Sequence, residues 1–261
     1  MSNVTHHLRL VWALYCRHAR AFWPDAHTYL AGHVLTPALF VIAFGLGVGS
    51  FIEVMGGLDY RVYVLAGILA YKCMFAISLE ASLVCYSRCY YVRIYDYLLT
   101  TPLRLGHVVA VEILWAITKG ILPAVIVLTL GVWLLDLALP AAVLGQAIVI
   151  VLASGFTFAA TALVFVAYAR SFEFFAYMFA LWLYPSLLFS GVFFDLEQLP
   201  AAIQTLAWLH PLTHLIAIVR PLLGGLYVPP AEVLGHGVYI LLWGVVMTVV
   251  ALAKLRQRLY H

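Results

Sequence analysis

Charged side chains are scarce in this sequence. Of its 261 residues only 10% are Asp, Glu, Lys or Arg, whereas about a quarter of the residues in soluble domains carry charge. The remainder is mostly apolar, with 66% hydrophobic residues and a mean hydropathy of +1.04. This composition excludes a soluble protein and leaves no room for a soluble catalytic domain. Because apolar runs long enough to span a bilayer recur along the chain, it predicts an all-α integral membrane protein.

Nucleotide-binding and metal-binding patterns are missing as well. The sequence has no GxxxxGK[ST] loop and no other nucleotide-binding fingerprint. If ATP and Mg power this protein, another chain must bind them. The four cysteines have no metal-ligand spacing. We therefore expect no catalytic residue, cofactor, metal ion or nucleic acid in association with this chain itself.

The pattern of apolar residues divides the chain in two. Residues 1–28 are predicted to form an amphipathic helix in the membrane surface, with Arg9, Arg17, His18 and Arg20 largely on its polar faces. Residues 29–261 are predicted to form a six-span domain. The predicted spans cover residues of about 34–52, 62–86, 107–133, 141–168, 174–194 and 233–253.

Basic residues are distributed unevenly between the two sides of this predicted bundle. Ten of the fourteen Lys and Arg residues fall in the N-terminal helix, between spans two and three, after span four or after span six. With six spans, these four positions lie on one side. By the positive-inside rule that side is cytoplasmic. We therefore expect a multi-pass protein of a bacterial inner membrane with both termini in the cytoplasm.

The stretch from Leu187 to Leu226 is mostly apolar but is interrupted by charged residues, prolines and a pair of glycines. Its pieces are shorter than the roughly 20 residues that a spanning helix needs. They are typical of short helices that enter the membrane and return, which lipid tolerates only where protein or water satisfies the backbone. Residues of about 195–228, called here the re-entrant segment, are predicted to lie outside and to gate a path through the membrane.

Between spans two and three, tyrosines and leucines alternate with arginines in a pattern typical of an amphipathic helix. We call residues 88–101 the coupling segment. One interpretation is a helix that only anchors to lipid headgroups. The other is a lever that docks on a cytoplasmic partner and moves the adjoining spans, since helix-in-groove contacts use aromatic and arginine anchors. The candidate docking residues are Arg88, Tyr91, Arg93, Ile94, Tyr97 and Leu98.

Four ionisable residues lie within the predicted spans: Lys72, Glu80, Glu112 and Lys119. Each costs about 2.5 to 3.5 kcal/mol at mid-bilayer, so none is expected to face lipid. Glu112 and Lys119 share a helix face but lie about 10 Å apart along the axis, so each needs another partner. These charges either hold spans two and three together or line a substrate path.

Three segments carry a resemblance to a known family. They are the N-terminal helix, LLTTPLRLGHVVAVEILWAITKGIL at 98–122, and SFEFFAYMFALWLYPSLLFSGVFFDLEQLP at 171–200 followed by LHPLTHLIAIVRPLLGG at 209–225. The sequence resembles the ABC type-2 export permeases, and within them the NodJ-like branch associated with lipo-oligosaccharide export. The most specific matches, which the resemblance assigns to an outer gate, are Ser190, Gly191, Phe193, Phe194, Leu199, Pro200, Pro211, His214 and Arg220.

The resemblance implies a six-span permease that pairs as a homodimer and binds two copies of a separate ABC ATPase through the N-terminal helix and the coupling segment. Asp195 departs from the pattern, because many members have a proline there. Substrates in this family include lipo-oligosaccharides, polysaccharides on lipid carriers and drugs. The implied substrate is therefore a lipid or glycolipid whose identity stays open.

The leading hypothesis is a permease subunit that exports an amphiphile, with spans one and five of two copies enclosing the path. One alternative is a membrane-embedded enzyme acting on a lipid-linked substrate, for which Asp195, Glu197, His210 and His214 are the only candidate groups. Another is a scaffold or channel without transport activity, which would not co-purify with an ATPase.

Overall fold

The computed structural model of the protein describes residues 2–98 and 100–259. It is 84% helical and has almost no strands. Within these described residues, six helices are long and apolar enough to cross a bilayer. The prediction of an all-α membrane protein with six spans is therefore confirmed. The spanning helices are Gly32–Ser50, Tyr60–Tyr91, Leu105–Leu134, Ala141–Tyr168, Phe172–Phe189 and Pro230–Arg258.

The chain begins with α1 (Ser2–Phe22), which a short turn at Trp23–Asp25 joins to α2 (Ala26–Phe40). A π-helical stretch and a 3-10 turn extend α2 to Ser50, and together they form span one. Two short antiparallel strands follow, β1 (Val54–Met55) and β2 (Leu58–Asp59), with Val54 opposite Asp59 and Met55 opposite Leu58.

The carboxylate of Asp59 begins span two by accepting a hydrogen bond from the Arg61 amide at 2.8 Å, as an N-cap residue does. Span two consists of α3 (Tyr60–Leu79) and π-helical turns at Glu80–Val84 and Ser87–Tyr91. It is the centre of the bundle, because 83% of the residues in its most apolar stretch are buried, against 17% in span one and 22% in spans five and six.

The coupling segment is not the single helix that its pattern predicts. Residues 87–91 continue span two, and α4 (Ile94–Leu98) is a separate helix of five residues. Between them Arg93 adopts the left-handed conformation, with φ of 52°. Arg88 lies within the helix that continues span two, where it meets buried carboxylates, and the chain leaves that helix at residues 92–93 before α4 begins. Residue 99 lies outside the described residues.

Long helices complete most of the remaining bundle. Spans three and four are α5 (Leu105–Leu134) and α6 (Ala141–Tyr168). Span five combines α7 (Phe175–Met178) and α8 (Tyr184–Phe189) with a π-helical turn between them. Small residues bring these helices close to span two: a Cβ added at Gly120 or Gly155 would come within 2.8 Å of the Ile77 side chain.

A loop that begins at Ser190 leads into the re-entrant segment, in which α9 (Ala201–Trp208) and α10 (Pro211–Gly224) meet at an angle of 88°. With 14 residues, α10 is about 21 Å long, less than the roughly 30 Å of a hydrocarbon core. Gly225, at φ of 66°, ends α10 in the left-handed conformation. Span six is α11 (Pro230–Leu259).

Candidate functional site

Three of the four predicted intramembrane charges form one buried cluster, and Arg88 from the coupling segment is its centre. The Arg88 guanidinium donates to Glu80 Oε1 at 2.9 Å and, through Nε, to Glu112 Oε1 at 3.1 Å. Its other terminal nitrogen donates to Glu112 Oε2. One arginine thus bridges a carboxylate of span two and a carboxylate of span three.

Glu112 is fully buried and has further partners from two more helices. The Tyr95 hydroxyl of α4 donates to Glu112 Oε1 at 2.8 Å, and His18 Nε2 of α1 lies 3.1 Å from the same oxygen. Glu80 accepts a hydrogen bond from the Trp115 indole at 3.0 Å. Because each carboxylate has several hydrogen-bond or ion-pair partners, the protein tolerates its burial.

Lys119 completes the cluster on the side of α1 and α2. Its ammonium lies 3.9 Å from Glu80 Oε2, 3.1 Å from the centre of the Phe22 ring and 3.8 Å from that of Tyr29. Such cation–π contacts stabilise a partly desolvated ammonium. Glu112 and Lys119 are therefore not paired with each other. Of the two interpretations of these charges, the contacts favour the one in which they hold helices together.

Lys72, the fourth predicted charge, lies apart from this cluster. Its ammonium is 3.7 Å from the centre of the Phe40 ring in span one, and the residue is buried. Within residues 2–98 and 100–259 it forms no ion pair. The interactions that the structure gives this ammonium are cation–π contacts with aromatic rings.

The coupling segment combines one buried anchor with exposed flanks. Tyr95 is buried and bonded to Glu112, whereas Tyr91 and Tyr97 are 66% and 73% exposed. Arg93 is also exposed, and Ile94 and Leu98 are half-buried.

Sequence reasoning missed three hydrogen-bond partners of these carboxylates, Tyr95, His18 and Trp115. His18 was grouped with the polar faces of the N-terminal helix, but it is buried. The sequence does contain a signal for this burial. His18 lies four residues after the apolar Leu14, and residues four apart share a helix face. For Tyr95, no signal distinguishes it from the neighbouring tyrosines.

At the opposite end of the bundle, Arg220 of α10 holds the loop that opens the re-entrant segment. Its guanidinium donates to the carbonyl of Gly191 and, at 3.4 Å, to that of Tyr63, and it lies 3.5 Å from the centre of the Tyr63 ring. The Tyr63 hydroxyl in turn donates to the Phe194 carbonyl at 2.9 Å. Gly191, at φ of 78°, supplies the left-handed turn that brings its carbonyl to Arg220.

The same loop packs against spans one and two. Ser190, Gly191 and Phe193 are buried, while Phe194 is half exposed. Phe193 stacks on Phe44 of span one with ring centres 3.9 Å apart. The main chain of Val192 lies so close to Gly67 of span two that a Cβ there would overlap it.

The remaining predicted gate residues shape α9 and α10. Pro200 precedes α9, Pro211 begins α10, and Leu199 lies in the turn before Pro200. His214 Nδ1 lies 2.8 Å from His236 Nδ1 of span six, and its Nε2 lies 2.8 Å from the Trp208 carbonyl.

The groups considered for an enzyme are used structurally. Asp195 accepts a hydrogen bond from the Glu197 amide at 3.2 Å and caps a short turn. His210 Nδ1 accepts the Leu212 amide at 3.1 Å and caps α10, and its burial lowers the pKa of His210 to about 3. In the described part of the chain, no three His, Cys, Asp or Glu side chains are arranged to hold a metal ion.

Comparison with known proteins gives a consistent result over most of the chain. The family described as ABC-2 type transporter matches residues 9–223. The chain is 32% identical to nodulation protein J of Rhizobium leguminosarum bv. trifolii over 254 residues, which cover 95% of this chain and 93% of that protein. It is 30% identical to nodulation protein J of Rhizobium meliloti (strain 1021), with the same coverage of both chains.

Proposed function

This chain belongs to the ABC-2 type transporter family, and on that premise we propose that it is the permease of an exporter moving a lipo-oligosaccharide or a similar amphiphile outward across the inner membrane. Membership makes it a multi-pass transport subunit rather than a catalytic one, with an ABC ATPase as its partner. In the proposal, two copies of the chain pair and two ATPase subunits bind the side that carries the termini. The excess of Lys and Arg on that side supports a cytoplasmic location.

The observation that carries the proposal is the anchoring of the coupling segment in the buried charge cluster. The exposed Tyr91 and Tyr97 are available to a partner, and Tyr95 between them is bonded to Glu112. A displacement of this segment is transmitted through Glu112 and Arg88 to spans two and three, and through His18 to α1. When ATP hydrolysis moves the coupling segment, spans two and three and α1 therefore move together.

The weakly buried spans supply the proposed path. Span one has 17% and span five has 22% of its most apolar stretch buried, so both leave a large face for a second copy. Phe193, in the loop that leads into the re-entrant segment, stacks directly on Phe44 of span one. A rearrangement of span one between two copies is thus linked to the loop that closes the proposed outer mouth.

The test is transport by the full complex in proteoliposomes. The chain is co-purified with its ATPase, and a fluorescently labelled lipo-oligosaccharide is followed across the membrane with and without ATP. We expect ATP-dependent movement. Tyr95→Phe, which removes the hydroxyl bonded to Glu112, lowers the amount transported per ATP hydrolysed while the ATPase stays bound.

Tyr168→Phe is the control, because it removes a tyrosine hydroxyl from a half-exposed residue at the end of span four, away from both the charge cluster and the re-entrant segment. It leaves the transport ratio unchanged. A chain that purifies without any ATP-binding subunit contradicts the function, whereas normal transport per ATP in Tyr95→Phe contradicts only the route of coupling.

A further inference from the structure

A cavity of about 420 Å³ lies between span five, α9 and span six. This volume lies within the range of about 300 to 1,000 Å³ that small-molecule sites occupy. Its walls are mostly apolar, and two large residues on its rim, Leu181 and Leu206, are 70% and 65% exposed. Because these belong to a membrane-spanning helix and to the re-entrant segment, the cavity adjoins surface that suits lipid tails.

Two buried polar atoms in this wall have no hydrogen-bond partner within the residues that the structure describes. They are Nε1 of Trp182 and Nε2 of His210, whose ring centres lie 4.0 Å apart. Buried donors and acceptors are nearly always paired in proteins. Two unpaired atoms on adjoining residues that line one cavity therefore point to a ligand.

Both atoms are donors. An indole nitrogen carries a hydrogen and cannot accept. His210 Nδ1 accepts the amide hydrogen of Leu212 at 3.1 Å, so the hydrogen of the neutral ring is on Nε2. By contrast, Trp243, which lines the same cavity, already donates to Thr161 Oγ1 at 3.2 Å.

The geometry points to a lipid-binding site in which the cavity holds an acyl chain of a membrane glycerophospholipid, and the ester carbonyl of that chain accepts hydrogen bonds from Trp182 and His210. Two unpaired donors on adjoining rings of the lining select an acceptor oxygen and disfavour a cation. The apolar walls disfavour a free sugar or an inorganic anion, which would lose hydration without replacement. A fatty acyl ester offers both an acceptor oxygen and an apolar body. This site is independent of the transport activity proposed above.

The test uses a phosphatidylcholine with ester-linked chains and a diazirine near the ester, added in trace amounts to nanodiscs that contain the full chain. After irradiation, adducts are mapped by mass spectrometry. We expect labelling of residues 181–189 and 203–210 above that of Leu241, Leu242 and Val245, which are exposed on span six and report non-specific lipid. An analogue with ether-linked chains, which lacks the carbonyl, labels the cavity weakly.

Trp182→Phe removes one donor and keeps an aromatic ring, and the loss of one hydrogen bond predicts a decrease of about five- to tenfold in cavity labelling by the ester probe. Trp243→Phe makes the same change where the indole already has a partner, and it leaves labelling unchanged. If Trp182→Phe does not fold, Ala207→Leu fills the cavity from a buried lining residue and abolishes labelling.

Two outcomes overturn the inference. Equal labelling by the ester and ether probes, unaffected by Trp182→Phe, means that the lipid is not recognised through its carbonyl. Absence of lipid adducts on residues 181–189, together with a disulfide between two copies that each carry Leu181→Cys, means that the cavity is covered by protein.

Discussion

The two ends of the helix bundle are held together by different interactions. At the end with the coupling segment, Arg88 joins the carboxylates of Glu80 and Glu112, and all three are buried or nearly so. At the end with the re-entrant segment, Arg220 donates to main-chain carbonyls and Phe193 stacks on Phe44. One end depends on complementary charges from several helices, the other on single contacts of one loop.

This difference determines how each end can move. In a buried network of charges, removing one member leaves its partners uncompensated, so the helices stay together or separate as a group. Stacked rings and hydrogen bonds to carbonyls break one at a time, and a displaced loop can find water as a new partner. The first arrangement suits transmission of force, and the second suits a gate that opens locally.

The largest effect on stability is expected from Glu112→Ala. It leaves Arg88 with one carboxylate in a buried site, and loss of one partner of such a pair costs about 3–5 kcal/mol. We expect a large fall in the midpoint of thermal unfolding in detergent and faster hydrogen exchange in both α1 and the coupling segment. Glu53→Ala, which removes an exposed acid, is the control and changes neither. Faster exchange confined to α1 would show that the cluster does not act as one unit.

A smaller effect is expected from Gly67→Ala at the other end. The new Cβ overlaps the main chain of Val192, and overpacking of this kind costs about 1–3 kcal/mol. Because the loop yields more easily than span two, hydrogen exchange increases in residues 190–198 while the rest of the protein is unchanged. Gly235→Ala is the matched control, since nothing lies within 4 Å of a Cβ there. Loss of protection throughout span two would contradict a locally held loop.

The contrast also explains which features the sequence could predict. Six spans and an interrupted helical stretch between spans five and six were predictable, because apolar length and interruption by proline and glycine are local properties of the chain. The partners of Glu112 were not, since Tyr95 and His18 are 17 and 94 residues away and meet it only after helices pack. The pattern over 88–101 did not show the break at Arg93 either, because the partners that hold Arg88 in span two, Glu80 and Glu112, lie on helices outside that segment.

The smallest expected effect comes from the exposed ion pair of Asp59 and Arg61, which has the same kind of charges as the Glu112–Arg88 pair in a different environment. Its side chains are 41% and 42% exposed, against 0% and 15% for the buried pair. Asp59→Asn keeps the acceptor that caps α3 and removes only the charge, so the loss is below about 1 kcal/mol.

The pH dependence of this difference has a definite sign. The hydrogen bond from Arg61 lowers the pKa of Asp59, so the stabilisation is present above the unfolded-state pKa and is lost as the pH falls through the folded-state pKa. Thermal unfolding of the wild type and of Asp59→Asn should therefore differ slightly at neutral pH, and the difference should shrink as the pH falls through the lowered folded-state pKa of Asp59. Added salt should also reduce the difference. A difference that survives acid and salt would mean that the asparagine amide caps α3 less well than the aspartic acid side chain, and that the ion pair is not responsible. A gap as large as that of Glu112→Ala would show that exposure to water does not distinguish the two pairs.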